Sequence, residues 1–208
     1  MTFLGCLRAL ACVATTALAA AAPASAAILV TDWKAAGDGL LLWDTDTNLQ
    51  WLKLAQTQGQ SYNQVLAQLP TTYAGFAYAT TDDIWTFFGD AGLSPFYPAP
   101  AAAASSLSTL WGITYPNGHT AFGITSSDNT FAPGNKLVAG VGWANQDGSV
   151  WYANATATNA LPGSSEGFIG SALFRPYQAL AVPESGTPVL FLAGLVGLTV
   201  IVRRRRAS

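Results

Sequence analysis

The run from Pro188 to Val202 carries no charge and ends against Arg203, Arg204, Arg205 and Arg206. Fifteen helical residues rise about 22 Å, against a hydrocarbon core about 30 Å thick. A span therefore needs local thinning of the bilayer, or arginines whose stems snorkel toward the headgroups. Arginines favour the cytoplasmic side, which places the residues before Pro188 across the membrane. The segment belongs to lipid, and the folding problem moves to what precedes it.

The other end repeats the logic. Residues 1–26 hold one positive charge, Arg8, an apolar stretch from Ala9 to Ala22, and Ala24-Ser25-Ala26. That is the order of a secretory leader with an A-x-A cleavage site, so the mature chain is expected to begin at Ala27. A lipoprotein signal at Cys12 is the weaker reading, because Ala9 stands where such signals usually have Leu. Cys6 and Cys12 both precede Ala27, which leaves the body, residues 27–181, without cysteine. Disulfides, thiolate nucleophiles and cysteine metal sites are excluded there.

The body is the size of one domain. It sets Lys34, Lys53, Lys136 and Arg175 against ten acidic residues, a net charge of −6. Nucleic-acid binding needs a basic footprint, so it is not expected. Leu40-Leu41-Leu42-Trp43 and Leu49-Gln50-Trp51-Leu52-Lys53-Leu54 flank Asp44-Thr45-Asp46-Thr47-Asn48 and read as a hairpin. Ser61-Tyr62-Asn63-Gln64 has the form of a capping box, followed by Tyr62, Val65, Leu66 and Leu69 at helical spacing. Pro70 ends that helix. Thr80-Thr81-Asp82-Asp83 starts a second helix, with Ile84, Trp85, Phe87 and Phe88 as its apolar stripe. The Pro- and Ala-rich stretch Ser94 to Ser106 reads as an irregular loop. Hairpins are expected from Trp111-Tyr115 to Thr120-Ile124 around Asn117-Gly118, and from Lys136-Asn145 to Ser149-Ala155 around Asp147-Gly148. Ser171 to Pro176 reads as a closing strand. The expected fold class is α+β: two short helices packed on antiparallel hairpins, with a signal helix before them and a transmembrane helix, 188–202, after them.

Two resemblances add to this. Val182-Pro183-Glu184, the Gly/Leu-rich segment and the arginine cluster resemble a PEP-CTERM sorting signal, with Ser185 in place of the family's usual Pro. The resemblance implies an exosortase as processing partner, a transient hold in the inner membrane, and then release to the cell surface or extracellular matrix; a permanent anchor is the rival reading. Within the body, Asp44 to Leu54, Ser61 to Gln64, Gly75-Phe76-Ala77-Tyr78-Ala79-Thr80-Thr81 and Ala172-Leu173-Phe174-Arg175-Pro176 resemble, in order, the motifs of exported DUF1566/Lcl-type domains. That implies a C-type-lectin-like fold. The Glu-Pro-Asn and Trp-Asn-Asp motifs of calcium-dependent sugar binders do not occur, so that chemistry is not carried over.

Catalytic patterns are thin. His119 is the only histidine, and no G-x-S-x-G elbow accompanies it. Asp44-x-Asp46-x-Asn48 opens like a calcium loop, but Leu49 and Ala55 stand where an EF-hand needs Gly and Glu; an Asx-type turn explains it better. Asp82 and Asp83 point about 100° apart on a helix and suit helix-start electrostatics. Glycosidase chemistry by a more distant pair, such as Asp128 with Asp147, gains no support from their spacing alone. No metal site and no cofactor is expected. Of the seven tryptophans, core packing is the default. Trp143, Asn145, Trp151 and Tyr152, across the Asp147-Gly148 turn, are the residues best placed to stack on a sugar. The expectation is an exported cell-envelope or exopolysaccharide-matrix (biofilm) protein with a structural or adhesive role and no catalysis. A carbohydrate-binding module is the alternative, and an extracellular hydrolase a weaker one.

Overall fold

The computed structural model describes residues 27–93, 98–116, 118–143 and 151–179. The expected leader, the sorting motif Val182-Pro183-Glu184, the membrane helix and Arg203 to Arg206 lie outside them. Among the described residues no helix is long and apolar enough to cross a membrane.

β2 (Leu41–Asp44) and β3 (Leu49–Leu52) form the hairpin expected around Asp44–Asn48, and β1 (Ile28–Thr31) adds a third antiparallel strand beside β2. Asn48 takes the left-handed turn position at φ 57°, which asparagine tolerates better than most residues. A 3-10 turn, Leu54–Gln56, and helix α1, Tyr62–Gln68, follow. The capping box is present: Gln64 N donates to Ser61 Oγ at 3.2 Å and Ser61 N to Gln64 Oε1 at 2.8 Å. Val65 is buried, whereas Leu66 points outward at 45% exposure, so the apolar stripe is narrower than its spacing implies. The short β4, Ala77–Tyr78, leads to α2, Thr81–Asp90, capped by Thr80 with Asp83 reaching back to its amide at 2.8 Å.

A third helix occupies part of the expected loop: α3, Ala101–Trp111. Pro100 stands at its N-cap, and Ala101 to Ala104 are strong helix formers that outweigh the punctuating prolines before them. Trp111 is thus the end of a helix, not the start of a strand, and Gly112 turns the chain at φ 105°. The expected hairpin from Trp111 to Ile124 shrinks to a turn, in which Thr114 N and Tyr115 N both donate to Thr120 O at 3.0 Å. The strand after it, β5 (Ala121–Asp128), pairs instead with β6 (Lys136–Trp143), which pairs with β7 (Trp151–Ala160) as expected.

The expected closing strand is split. β8 (Gly170–Ser171) runs parallel to β5 in the second sheet, and β9 (Leu173–Pro176) lies between β3 and β4 in the first. The sheet orders are β1-β2-β3-β9-β4 and β7-β6-β5-β8. Ala172, fully buried, is the crossing point: its N donates to Ile124 O and its O accepts from Ala79 N, both at 2.9 Å. Beneath the crossing lies Leu54. A Cβ on Gly170 would run into the carbonyl oxygen of Leu54, and one on Gly123 would meet its Cδ2 at 2.9 Å.

One core packs α2 and α3 on both sheets through Trp51, Ile84, Phe87, Phe88, Leu107 and Trp111. Trp51 stacks on Phe87 at 4.3 Å, and Trp111 meets Phe87 and Phe88 edge-on at 5.6 and 5.9 Å. Truncating a buried ring of this kind costs about 3–5 kcal/mol. A second core joins Leu41, Leu52, Val65, Tyr73, Ile124 and Val138. The observed class is α+β, with three α-helices and one parallel strand pair among the described residues. Gly170→Ala is expected to lower stability by about 3 kcal/mol, because the added methyl meets backbone and not a side chain that can move; urea unfolding followed by tryptophan fluorescence checks it.

Candidate functional site

The late strands hold the aromatic residues singled out above. Trp143 and Trp151 face each other in register, their rings 5.5 Å apart and nearly perpendicular. The ring of His119 stacks on Trp143 at 3.5 Å and meets Trp151 edge-on at 6.5 Å. Gly142 makes this possible. At φ 157°, a Cβ there would collide with Thr120 Cα at 2.6 Å and His119 O at 2.7 Å. Tyr152, next along β7, points to the other face of the sheet. Burial, with a smaller push from Tyr115, raises its phenol well above the ordinary range. The strand therefore separates Tyr152 from the two tryptophans, and Asn145 and the Asp147-Gly148 turn lie outside the described residues. Trp143 is half-buried against His119, and Trp151 is half-buried against the helical core.

A second feature lies toward the opposite end of the same strands. A cavity of about 590 Å³ is lined by Asn129, Thr130, Phe131, Leu137, Thr156, Ala157, Thr158 and Asn159. Phe131, on the β5–β6 loop, is 97% exposed, the most exposed large apolar residue described. Its backbone is nevertheless held: Asn129 Oδ1 accepts from Phe131 N at 2.9 Å and Ala132 N at 3.2 Å, an Asx turn. The loop is closed by Asn129 N donating to Asn135 O at 2.9 Å, and Asn135 Nδ2 donates to Asn159 Oδ1 on β7 at 2.5 Å. On the β7 side the register jumps from Val138↔Thr158 to Gly140↔Asn154. That bulge redirects Thr156 and Ala157 into the groove, and Asn154 Oδ1 secures it by accepting from Thr156 N at 2.8 Å. The lining is amide, hydroxyl and apolar, with no charged group. Asp128 points elsewhere, its carboxylate tied to Lys136 Nζ at 2.6 Å. The sequence signal for this groove was a lone aromatic inside the turn-rich Asn129-Thr130-Phe131-Ala132-Pro133-Gly134-Asn135.

A third feature is acidic. Asp44 is fully buried and folds its turn as expected: it accepts from Asp46 N at 3.1 Å and Thr47 Oγ1 at 2.6 Å. Asp90, at the end of α2, comes against it beside a cavity of about 320 Å³ shared with Ile28, Ala103 and Leu107. Burial, then the hydrogen bond to Asp44 and the charges of Asp44 and Asp46, push Asp90 up to about 6. Asp82 and Asp83 stay at the start of α2, where Asp83 serves as the cap. No group of three or more His, Cys, Asp or Glu among the described residues is placed to hold a metal ion.

Comparison with known proteins finds no matching family model, no matching curated protein and no matching solved structure.

Asp90 sets a pH dependence. Its folded pKa lies above the ordinary carboxyl value, so it favours the folded chain fully below about pH 4, and that contribution is lost as pH rises through about 6. In the chain as given, residues 1–208, Asp90→Asn is expected to raise the melting temperature at pH 7.5 and to leave it nearly unchanged at pH 4. Thermal unfolding at the two pH values checks this.

Proposed function

We propose that this chain is an exported protein of the cell envelope or exopolysaccharide matrix, with an adhesive role exerted by binding neutral polysaccharide in the groove beside Phe131. The observation that carries the reading is the placement of a nearly fully exposed aromatic ring against an uncharged amide and hydroxyl lining. A single exposed apolar side chain is ordinary on its own. Here it stands over Asn129, Thr156, Thr158 and Asn159, which offer both donors and acceptors. Sugars present apolar C–H faces to rings and hydroxyls to amides, and the Asx turn that fixes the Phe131 backbone reduces what stacking must order.

Export is supported by the leader-like residues 1–26 and by the PEP-CTERM-like order of Val182-Pro183-Glu184, the apolar run and Arg203 to Arg206. On this reading an exosortase cuts near Pro183-Glu184, and the inner membrane is a way station. We also propose that the body is C-type-lectin-like. The inclusion of its first and last strands in one sheet supports that finer assignment.

Two measurements test the proposal. Titration of the processed protein with the producer's own exopolysaccharide is expected to release heat, and Phe131→Ala to weaken binding about tenfold, equivalent to about 1.4 kcal/mol, without moving the melting temperature. Trp143→Ala is expected to leave affinity unchanged, which separates the groove from the His119–Trp143–Trp151 cluster. No heat at millimolar sugar would refute the ligand. In cell fractionation the body is expected in the envelope or medium; recovery of intact chain from the cytoplasm would refute the location.

A further inference from the structure

The acidic turn lacks a basic partner. Asp44 and Asp46 come from the β2–β3 turn and Asp90 from α2. Against them β1 brings Ile28, and α3 brings Ala103, Ser106, Leu107 and Leu110. Among the described residues no lysine or arginine forms an ion pair with any of the three. One oxygen of Asp90, Oδ2, is sealed from solvent without a basic or neutral donor among them, and the group its carboxyl meets is another acid, Asp44. Such a group carries a desolvation cost that a donor would remove.

A donor is already beside the cluster. Ala27 N donates to Thr45 Oγ1 at 3.0 Å, and Thr45 N donates back to Ala27 O at 3.2 Å. Thr45 sits between Asp44 and Asp46, and the next residue, Ile28, is the register partner of Asp44 and borders the cavity that Asp90 lines. Directly opposed residues in such a pair lie about 5 Å apart. While Ala27 is an internal residue, its nitrogen is a neutral amide with one proton. Once it is a chain terminus, the same nitrogen is an ammonium with three donors and a charge.

We infer that removal of the leader completes the body: the α-ammonium freed at Ala27 keeps its bond to Thr45 and serves as the counter-ion of Asp44, Asp46 and Asp90. The inference rests on the reading of residues 1–26 as a leader cut after Ala26. Before the cut, three carboxylates repel one another around a neutral amide. After it, the first residue of the mature chain is locked to the β2–β3 turn by charge as well as by strand pairing. Processing at the N-terminus thereby tightens the edge strand β1, whose register with β2 ends at this point.

The test compares protein processed at the N-terminus with a precursor kept intact by A24L/A26L, both retaining the C-terminal segment and held in the same detergent. N-terminal sequencing of the processed form comes first and is expected to read Ala27. The α-amino group is then titrated by NMR. It is expected at least one unit above the ordinary range of about 7.7–8.0. At pH 7.5, Asp90→Asn is expected to raise the melting temperature of the precursor and to lower that of the processed form. Should the variant fail to fold, the titration on the native sequence decides alone. A terminus at any other residue overturns the leader reading and the inference together. A terminus at Ala27 whose amine titrates in the ordinary range overturns the inference and leaves the leader reading intact; so does an Asp90→Asn effect of the same sign in both forms.

Discussion

Everything in the body hangs on the passage of Gly170, Ser171 and Ala172 over Leu54. Two sheets that share no hairpin are joined there by a strand that leaves β5 and enters the slot between β3 and β4. The fit tolerates no side chain at Gly170, because the carbonyl of Leu54 fills the space. Polar groups at the crossing are paired across the chain. Ser171 N donates to Thr57 Oγ1 at 2.6 Å, Tyr78 Oη and Ser171 Oγ share a hydrogen bond at 2.9 Å, and Ala172 serves both sheets through its backbone. Buried backbone is stable only when so satisfied. Because the register partners of this strand are 47 residues away (Gly123↔Gly170) to 127 residues away (Leu49↔Pro176), the crossing forms only once both halves of the chain are present.

This explains what could and could not be read from residues in order. Capping at Ser61 and Thr80 involves groups three residues apart, and both boxes are where their side chains place them. The pairings of β2 with β3 and of β6 with β7 are equally local, each joining strands that are consecutive in the chain. The Pro-rich approach to α3 hid a helix whose buried positions, Ala104, Leu107, Ser108 and Trp111, are helically spaced; the small Ala and polar Ser in that stripe make it faint as a periodicity. The division of Ser171 to Pro176 between two sheets has no local signature at all.

The sites divide the same way. Trp143 and Trp151 could be paired from the hairpin alone, and they do meet. Their covering by His119 depends on Gly142 letting a distant turn press onto β6, which no spacing shows. The groove at Phe131 depends on a bulge in β7, an unmatched pair of residues 23 or more positions further on. Asp90 was legible as the end of a helix but not as the neighbour of Asp44, 46 residues earlier. Local chemistry was therefore readable, and the chemistry made by tertiary approach was not.

The turn at Asp44–Asn48 has a geometric corollary. Ala27 leaves the body beside Thr45, while Tyr177 leaves it at the other side of the same turn, its N donating to Asn48 O at 2.9 Å and its ring stacked on Trp43 at 4.2 Å. The two ends of the domain are neighbours. Anything fused to one stands close to anything fused to the other, and a short glycine linker would close the chain into a ring without crossing the body. Chain order is thus separable from architecture: the ring could be reopened at an exposed loop, and the same two sheets would have to assemble from a permuted sequence.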